Sequence, residues 1–195
     1  MRKIILGIMA CITFGSANAQ STKFGAKGGL NISSVTGHDE ETKSLIGFHI
    51  GGFAEIKVMK KLAIQPEFLF STQGTTIEAA EGSSNTDLKL NYLNIPLLAK
   101  YYITDAFTVE AGPQMGLLVS AKSKGYDIHD LYKTSDFGFN LGCGYNFTEN
   151  LSAGLRYTIG LTNVADISDE YQDYSDFYNQ SFRNSNLALS LAYKF

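Results

Sequence analysis

The sequence lacks features that would point to several common classes of protein. Of its 195 residues none is tryptophan, three are proline and only two are cysteine. Cys11 follows Ile8-Met9-Ala10, a poor lipobox, and lies within the N-terminal segment interpreted below as a cleaved leader. Cys143 is then alone in the mature chain, which excludes an intramolecular disulfide. An exported domain of this size must therefore be held by its sheet and its surroundings.

Long apolar runs and a surplus of basic charge are also missing. Beyond the N-terminus no apolar stretch approaches the roughly 20 residues of a membrane-spanning helix, which excludes a helical membrane protein. The formal net charge is −3, so nothing predicts a nucleic-acid partner. Glycine, tyrosine and phenylalanine are plentiful instead, at 19, 11 and 13 residues.

Residues 1–19 have the pattern of a secretory signal peptide. Arg2 and Lys3 form a basic start, an apolar stretch too short to cross a bilayer follows, and Ala17-Asn18-Ala19 forms a small-x-small cleavage site. We therefore expect this segment to be removed, which leaves residues 20–195 as a single mature domain.

Apolar and polar residues alternate with a period of two through the rest of the chain. Such alternation places every second side chain on one face of a strand. Eight segments predict strands over Lys23–Ser33, Ser44–Val58, Leu62–Gln73, Lys89–Ile103, Ala106–Val119, Ser135–Phe147, Leu151–Leu161 and Asn184–Phe195. Most match or exceed the roughly 9–11 residues that a tilted membrane-spanning strand needs.

The connections between these segments alternate strictly in length. Three are short: Met59-Lys60-Lys61, Thr104-Asp105-Ala106 and Thr148-Glu149-Asn150. Four are long: Ser34–Lys43, Gly74–Leu88, Ser120–Thr134 and Thr162–Arg183. Periplasmic turns and extracellular loops of bacterial barrels differ in this way. The sequence thus predicts an all-β fold, an eight-stranded antiparallel up-and-down transmembrane β-barrel, with both termini at the periplasm.

The two faces of the predicted strands indicate which side contacts lipid. One face carries large apolar residues such as Ile46, Phe48 and Leu97, and the other carries many glycines and charges. Small side chains suit the crowded interior of an eight-stranded barrel, which favours lipid outside over a soluble ligand-binding barrel. Aromatic residues near the periplasmic ends predict an interfacial girdle of Phe24, Tyr101, Phe107, Tyr145, Phe147, Tyr193 and Phe195.

Three prolines, Pro66, Pro96 and Pro113, fall inside predicted strands. Proline removes a ladder hydrogen bond, so we expect bulges or register breaks at these positions.

Several segments resemble the PorT-like family of outer-membrane β-barrels. They are Gly25-Ala26-Lys27-Gly28-Gly29-Leu30-Asn31, Gln65-Pro66-Glu67-Phe68-Leu69-Phe70-Ser71, Tyr92–Tyr101, Ala111-Gly112-Pro113-Gln114 and Arg156–Asn163. The resemblance covers the whole mature chain, and matching segments of the family carry the three prolines. It implies a fold similar to the OmpA and OmpX barrels and an association with protein secretion machinery. Its motifs mark a type of barrel and no reaction.

Six charged residues have inward parity and form the first candidate site: Lys27, Glu55, Glu67, Lys100, Glu110 and Arg156. The hairpin register places Lys100 opposite Glu110. Unpaired charges in a filled barrel would be costly, so we expect ion pairs. A structural ion-pair core is favoured over a charged gate, because an eight-stranded interior is just wide enough to be packed with side chains.

The last long connection is a candidate interaction loop, since it interleaves carboxylates with aromatic rings. The residues concerned are Asp169, Glu170, Tyr171, Asp173, Tyr174, Asp176, Phe177 and Tyr178. A surface for a protein or glycan partner and a merely solvated loop are about equally favoured. A Ca²⁺ site is disfavoured, because the spacing of an EF-hand loop is missing. Tyr193 and the final Phe195 resemble the C-terminal signal of outer-membrane assembly machinery, and parity turns Lys194 inward.

Catalytic groups are weakly indicated. His38 beside Asp39 and His129 between Asp127 and Asp130 lie in predicted loops, and His49 lies inward with no obvious partner. We predict no catalytic residue, metal or cofactor. The expected protein is a non-enzymatic scaffold in outer-membrane lipid that presents extracellular loops to an extracellular or envelope partner. A narrow pore for small solutes and a lipid-modifying barrel enzyme are the alternatives.

Overall fold

Nine strands account for most of the residues that the computed structural model describes, which are 22–36, 42–77, 86–123, 126–127, 133–162 and 183–195. The strands are β1 (Thr22–Thr36), β2 (Thr42–Met59), β3 (Leu62–Ile77), β4 (Thr86–Tyr102), β5 (Phe107–Ser123), β6 (Tyr126–Asp127), β7 (Ser135–Asn146), β8 (Leu151–Gly160) and β9 (Arg183–Lys194). No helix in this part of the chain is long and apolar enough to cross a membrane.

Eight of the strands close into an antiparallel barrel. Each pairs with the next long strand along the chain, and β9 pairs back onto β1. The two-residue β6 pairs only with the end of β5. At the closing seam the backbone N–H of Phe195 donates to the carbonyl of Phe24, 2.9 Å away. The predicted all-β, eight-stranded antiparallel up-and-down barrel is confirmed.

The start of β1, the end of β9 and the three short turns lie at one end of the barrel, called the lower end here. The opposite, upper end carries the long connections. Strands β1 to β5 reach further toward the upper end than predicted, with 15 to 18 residues, whereas β7, β8 and β9 have 10 to 12. The predicted loops Ser34–Lys43, Gly74–Leu88 and Ser120–Thr134 were therefore too long, because strand continues into both ends of the first two and into the start of the third.

Along most of the barrel the apolar face points outward, as predicted. The outer side chains include Ile46, which is 74% exposed, and Leu97, which is 49% exposed. The inner side chains are polar, and Glu55 and His49 are only 1% and 4% exposed. The lower girdle is present on the outer surface, since Phe24, Tyr101, Phe107, Tyr145, Phe147, Tyr193 and Phe195 are all exposed.

The three prolines produce no bulges, so that expectation was wrong. Beside each proline the ladder skips two residue pairs and then resumes in unchanged register, as from Pro96↔Gln114 to Ala99↔Ala111. The same happens beside Pro66 and Pro113. Proline removes a donor without inserting a residue, so pairing is interrupted and the register is kept.

Toward the upper ends of β4 and β5 the polarity of the two faces reverses. The lumen there contains a buried group, the upper apolar cluster, made of Leu88, Leu90, Tyr92, Leu118 and Ala121. The outward residues of β4 at this level are Lys89 and Asn91, whereas Leu93 and Leu97 follow below them.

A β-bulge lies at the level of this reversal. Asn91 pairs with Ser120 but Tyr92 pairs with Leu118, so β5 holds one extra residue, Val119. Val119 points outward and is 57% exposed, while both Leu118 and Ala121 face the lumen.

Candidate functional site: the charged lumen

Glu67 of β3 is the centre of an ion-pair cluster in the middle of the lumen. Lys27 Nζ lies 2.6 Å from Glu67 Oε1, and Arg156 Nη1 lies 2.7 Å from Glu67 Oε2. Arg156 Nη2 also lies 2.6 Å from Glu110 Oε1, and Gln65 Nε2 donates to Glu67 Oε1 at 2.7 Å. The cluster joins β1, β3, β5 and β8 across the barrel, and the cavity beside it measures only about 30 Å³.

A second layer of charge surrounds Glu55, nearer the lower end. Lys100 Nζ lies 3.0 Å and Lys194 Nζ 3.6 Å from Glu55 Oε2. The Tyr102 hydroxyl donates to Glu55 Oε1. The structure therefore has all six predicted lumen charges inside the barrel, in two groups, together with Lys194 and Tyr102, to which the sequence had assigned no pairing role.

The partners differ from the hairpin expectation in one respect. Lys100 and Glu110 are register partners, as predicted, but they form no ion pair. Glu110 is bound by Arg156 from β8, and Lys100 reaches Glu55 on β2. Long side chains in a narrow lumen reach strands that are not their neighbours, and strand parity alone cannot predict those contacts.

Gly142 shows why small residues line this lumen. It is the register partner of Glu110 on one side and of Arg156 on the other. A Cβ atom at Gly142 would lie 3.0 Å from Glu110 Cγ and 2.9 Å from the Leu155 carbonyl oxygen. Glycine therefore leaves the room in which the Glu110 carboxylate meets the guanidinium.

His49 has two partners that the sequence did not reveal. Its Nδ1 lies 2.8 Å from Asn31 Oδ1, and its Nε2 lies 2.9 Å from Ser190 Oγ. Asn31 Nδ2 donates to backbone carbonyls, so its Oδ1 must accept, and His49 therefore carries its proton on Nδ1. Ser190 then donates to Nε2.

This Ser190–His49–Asn31 chain has the order of nucleophile, base and orienting group found in hydrolytic triads. All three residues are nevertheless buried on the inner face. The cavity that adjoins Ser190 measures about 30 Å³, which is room for a water molecule and not for an acyl substrate. The three hydrogen-bonded side chains therefore act as a structural link between β9, β2 and β1.

Amide side chains fill the lumen between the ion pairs and the upper apolar cluster. Asn184 Nδ2 donates to Gln73 Oε1 at 2.6 Å, and a cavity of about 10 Å³ lies among them. Within the described part of the chain, Asn140 Nδ2, Asn184 Oδ1 and Asn186 Oδ1 are buried without a hydrogen-bond partner. A bound water would satisfy such groups.

The lower end is different, because it opens into a cavity of about 780 Å³, called the vestibule here. Its charged lining residues are Lys23, Glu55, Lys57, Lys60, Lys61, Asp105, Glu149 and Lys194. The Glu55 layer forms its floor.

The other predicted site residues have varied positions. Tyr193 and Phe195 are exposed at the lower girdle, with ring centroids 5.7 Å apart, and Lys194 points into the lumen. The candidate loop residues Asp169, Glu170, Tyr171, Asp173, Tyr174, Asp176, Phe177 and Tyr178 lie outside the described residues, and so do His38 and His129. Among the residues that are described, no group of three His, Cys, Asp or Glu could hold a metal ion.

A closed barrel with an apolar exterior and a charged interior is typical of outer-membrane β-barrel proteins. A comparison of the sequence with known families leads to the same class. Residues 18–166 match the family described as "Outer membrane protein beta-barrel domain". The chain belongs to this family, which makes the upper end extracellular and the lower end periplasmic. No curated protein sequence matches the chain significantly.

Solved outer-membrane barrels share the fold at low identity. Neisserial surface protein A is 18% identical with a TM-score of 0.57, over 90% of this chain and 99% of that one. Ail of Yersinia pestis, in complex with the heparin analogue sucrose octasulfate, is 16% identical with a TM-score of 0.52 over the same shares. OprG of Pseudomonas aeruginosa is 11% identical with a TM-score of 0.51, over 90% and 97%.

Proposed function

We propose that this protein is a non-enzymatic outer-membrane scaffold whose extracellular end binds an extracellular or envelope protein. One observation carries the proposal: the Glu67-centred cluster joins β1, β3, β5 and β8 across the lumen, with the upper apolar cluster above it. Because the lumen is filled at two levels, the outer surface and the loops are the regions that can contact a partner. The long strands β2 to β5 raise those loops above the membrane.

The proposal includes the finer assignments made from sequence. Residues 1–19 direct export and are cleaved, Tyr193 and Phe195 are recognised by the outer-membrane assembly machinery, and the barrel is PorT-like. These assignments are supported by the signal-peptide pattern, by the terminal aromatic pair and by the quoted PorT-like segments.

The charge of the candidate loop favours a protein partner over an acidic sugar. The heparin analogue bound to Ail is a polyanion. The loop of this chain carries Asp169, Glu170, Asp173 and Asp176 among its aromatic residues, so a polyanion would meet like charge. Tyrosine and phenylalanine next to carboxylates suit a partner with basic and apolar groups.

Photo-crosslinking in intact cells tests the proposal. A benzophenone amino acid placed at Tyr174 should give a discrete protein adduct. The same group at Lys60, an exposed residue of the lower turn, is the matched control and should not give that adduct. Failure of both Tyr174 and Tyr171 to capture a protein, with equal expression and heat-modifiable gel mobility, would contradict the proposal.

The alternatives are a narrow pore and a lipid-modifying enzyme. The filled lumen argues against solute passage, and the buried Ser190–His49–Asn31 chain gives lipid no access. We expect wild-type protein in planar bilayers to show no large, stable single-channel current. Such a current would favour the pore, and a change of lipid A mass that depends on His38 or His129 would favour the enzyme.

A further inference from the structure

The periplasmic vestibule contains more cationic than anionic side chains. Five lysines line it, namely Lys23, Lys57, Lys60, Lys61 and Lys194. Three carboxylates, Glu55, Asp105 and Glu149, line the same cavity. Like charges gathered in a concave site repel one another unless an anion lies between them.

The deepest of the three carboxylates is already engaged. Glu55 Oε2 is bound by Lys100 and Lys194, and the Tyr102 hydroxyl donates to Glu55 Oε1. Lys57 Nζ and Lys100 Nζ lie 5.4 Å and 5.7 Å from the centre of the Tyr102 ring. Several ammonium groups therefore converge on one carboxylate and one phenol, in a cavity lined by more lysines than carboxylates.

The size and position of the vestibule indicate a small soluble ligand. Its volume of about 780 Å³ falls within the ~300–1,000 Å³ usual for small-molecule sites. Outward-facing aromatic residues at the same level, such as Tyr101 and Tyr193, separate it from the surrounding bilayer. The filled lumen above it closes the other route, so a ligand enters from the periplasm.

We propose that the vestibule binds a soluble phosphate-class oxyanion, a diphosphate or a phosphate ester, with Lys23, Lys57 and Lys194 as its main cationic donors. Lysine binds phosphate as a compact point charge with three donors, and each pair of ammonium and oxyanion forms charge-assisted hydrogen bonds. The exposed Lys60 and Lys61 add attraction at the rim.

Isothermal titration of the folded barrel with inorganic diphosphate tests this site. The protein is held in zwitterionic micelles, and sodium chloride is adjusted to keep the ionic strength constant. Wild type should show one saturable site per barrel. The double variant Lys23→Gln/Lys57→Gln should bind about tenfold more weakly or worse, since it loses two charge-assisted contacts.

The matched control is Lys89→Gln/Lys122→Gln. These two exposed lysines are register partners at the extracellular end and remove the same amount of charge. The control should keep wild-type affinity. If the first double variant fails to show heat-modifiable mobility, the single variant Lys60→Gln on the turn replaces it, with an expected loss of about threefold.

Two outcomes would overturn the proposal. One is the absence of saturable diphosphate binding to wild type, and the other is equal weakening in the two double variants. A further arm places wild type in nanodiscs of phosphatidylcholine or phosphatidylglycerol. Binding of diphosphate should persist in phosphatidylcholine; a Lys23- and Lys57-dependent enrichment of phosphatidylglycerol without diphosphate binding would assign the site to lipid and contradict a soluble ligand.

Discussion

The intramembrane part of the barrel and its extracellular extension share strands such as β4, but they differ in which face of the strand is apolar. Inside the membrane, Leu97 of β4 points outward and Lys100 points inward. In the extension of that strand, Lys89 points outward and Leu90 is completely buried in the lumen. Inward and outward positions keep their parity along β4, yet the chemistry of the two faces is exchanged.

The difference shows that the surrounding medium, and not the strand, decides which face is apolar. Lipid outside requires apolar side chains there and leaves the polar ones to satisfy each other inside. Water outside restores the usual arrangement, with an apolar centre under a polar surface. On β4 the exchange occurs between Asn91 and Leu93, which marks the outer membrane boundary at the level of the Val119 bulge.

The largest loss of stability is expected when the centre of the intramembrane ion-pair cluster is removed. Glu67→Ala leaves Lys27 and Arg156 with one carboxylate fewer in a buried site, and we expect a loss of about 3–5 kcal/mol. Urea unfolding followed by circular dichroism measures it, since the chain has no tryptophan. Glu110→Ala should cost less, because Arg156 keeps Glu67. Equal losses, or no loss for Glu67→Ala, would refute a cluster centred on Glu67.

A pair of arginine substitutions on one face of β4 locates the membrane boundary. Leu97→Arg places a charge near the midplane and should cost about 2–4 kcal/mol, while Asn91→Arg at the boundary should cost about 0–1 kcal/mol. Refolding equilibria in lipid vesicles measure both. Similar costs at the two positions would show that the boundary is wrongly placed.

The upper apolar cluster should respond to truncation by local loss of stability. Leu90→Ala removes a fully buried side chain and should cost about 2 kcal/mol, at the low end for a core leucine because its cluster is small. Hydrogen exchange should accelerate at the upper ends of β4 and β5 and stay unchanged around Arg156. Uniform acceleration through the barrel would mean that the extension is not an independent core.

The smallest effect is expected at Ser190. A fluorophosphonate reagent should leave it unlabelled in the folded barrel, because the adjoining cavity of about 30 Å³ admits no acyl-like group. Mass spectrometry of the intact protein is the measurement, with a soluble serine hydrolase as the positive control. Stoichiometric labelling that is lost in His49→Ala would show that Ser190 is a nucleophile activated by His49, which contradicts a purely structural role.

Period-two alternation was sufficient to predict the number of strands, their antiparallel order and the apolar exterior. It stopped short where the two faces exchange character: Leu88 points inward, against the pattern of apolar residues facing lipid, and the predicted strand therefore began at Lys89 whereas β4 begins at Thr86. The expectation of bulges at the three prolines was wrong because proline removes a hydrogen-bond donor but does not insert a residue into the strand.

The lumen contacts were predictable in kind and not in detail. Parity assigns a charge to the inner face, but it says nothing about which strand across the barrel that charge will reach. Lys100 therefore binds Glu55, 45 residues away, and His49 meets Ser190, 141 residues away. Such contacts depend on the closed shape, which no local pattern contains.

The seam between β1 and β9 has a consequence for the order of folding. Every other long ladder joins strands that follow one another along the chain, whereas this one pairs Gly25 with Lys194. Closing so long a loop carries the largest entropy cost of any ladder, so we expect this ladder to form after the others. The hydrogen bond from Phe195 to Phe24 thus belongs to the ladder that we expect to form last, and its formation closes the sheet into a cylinder.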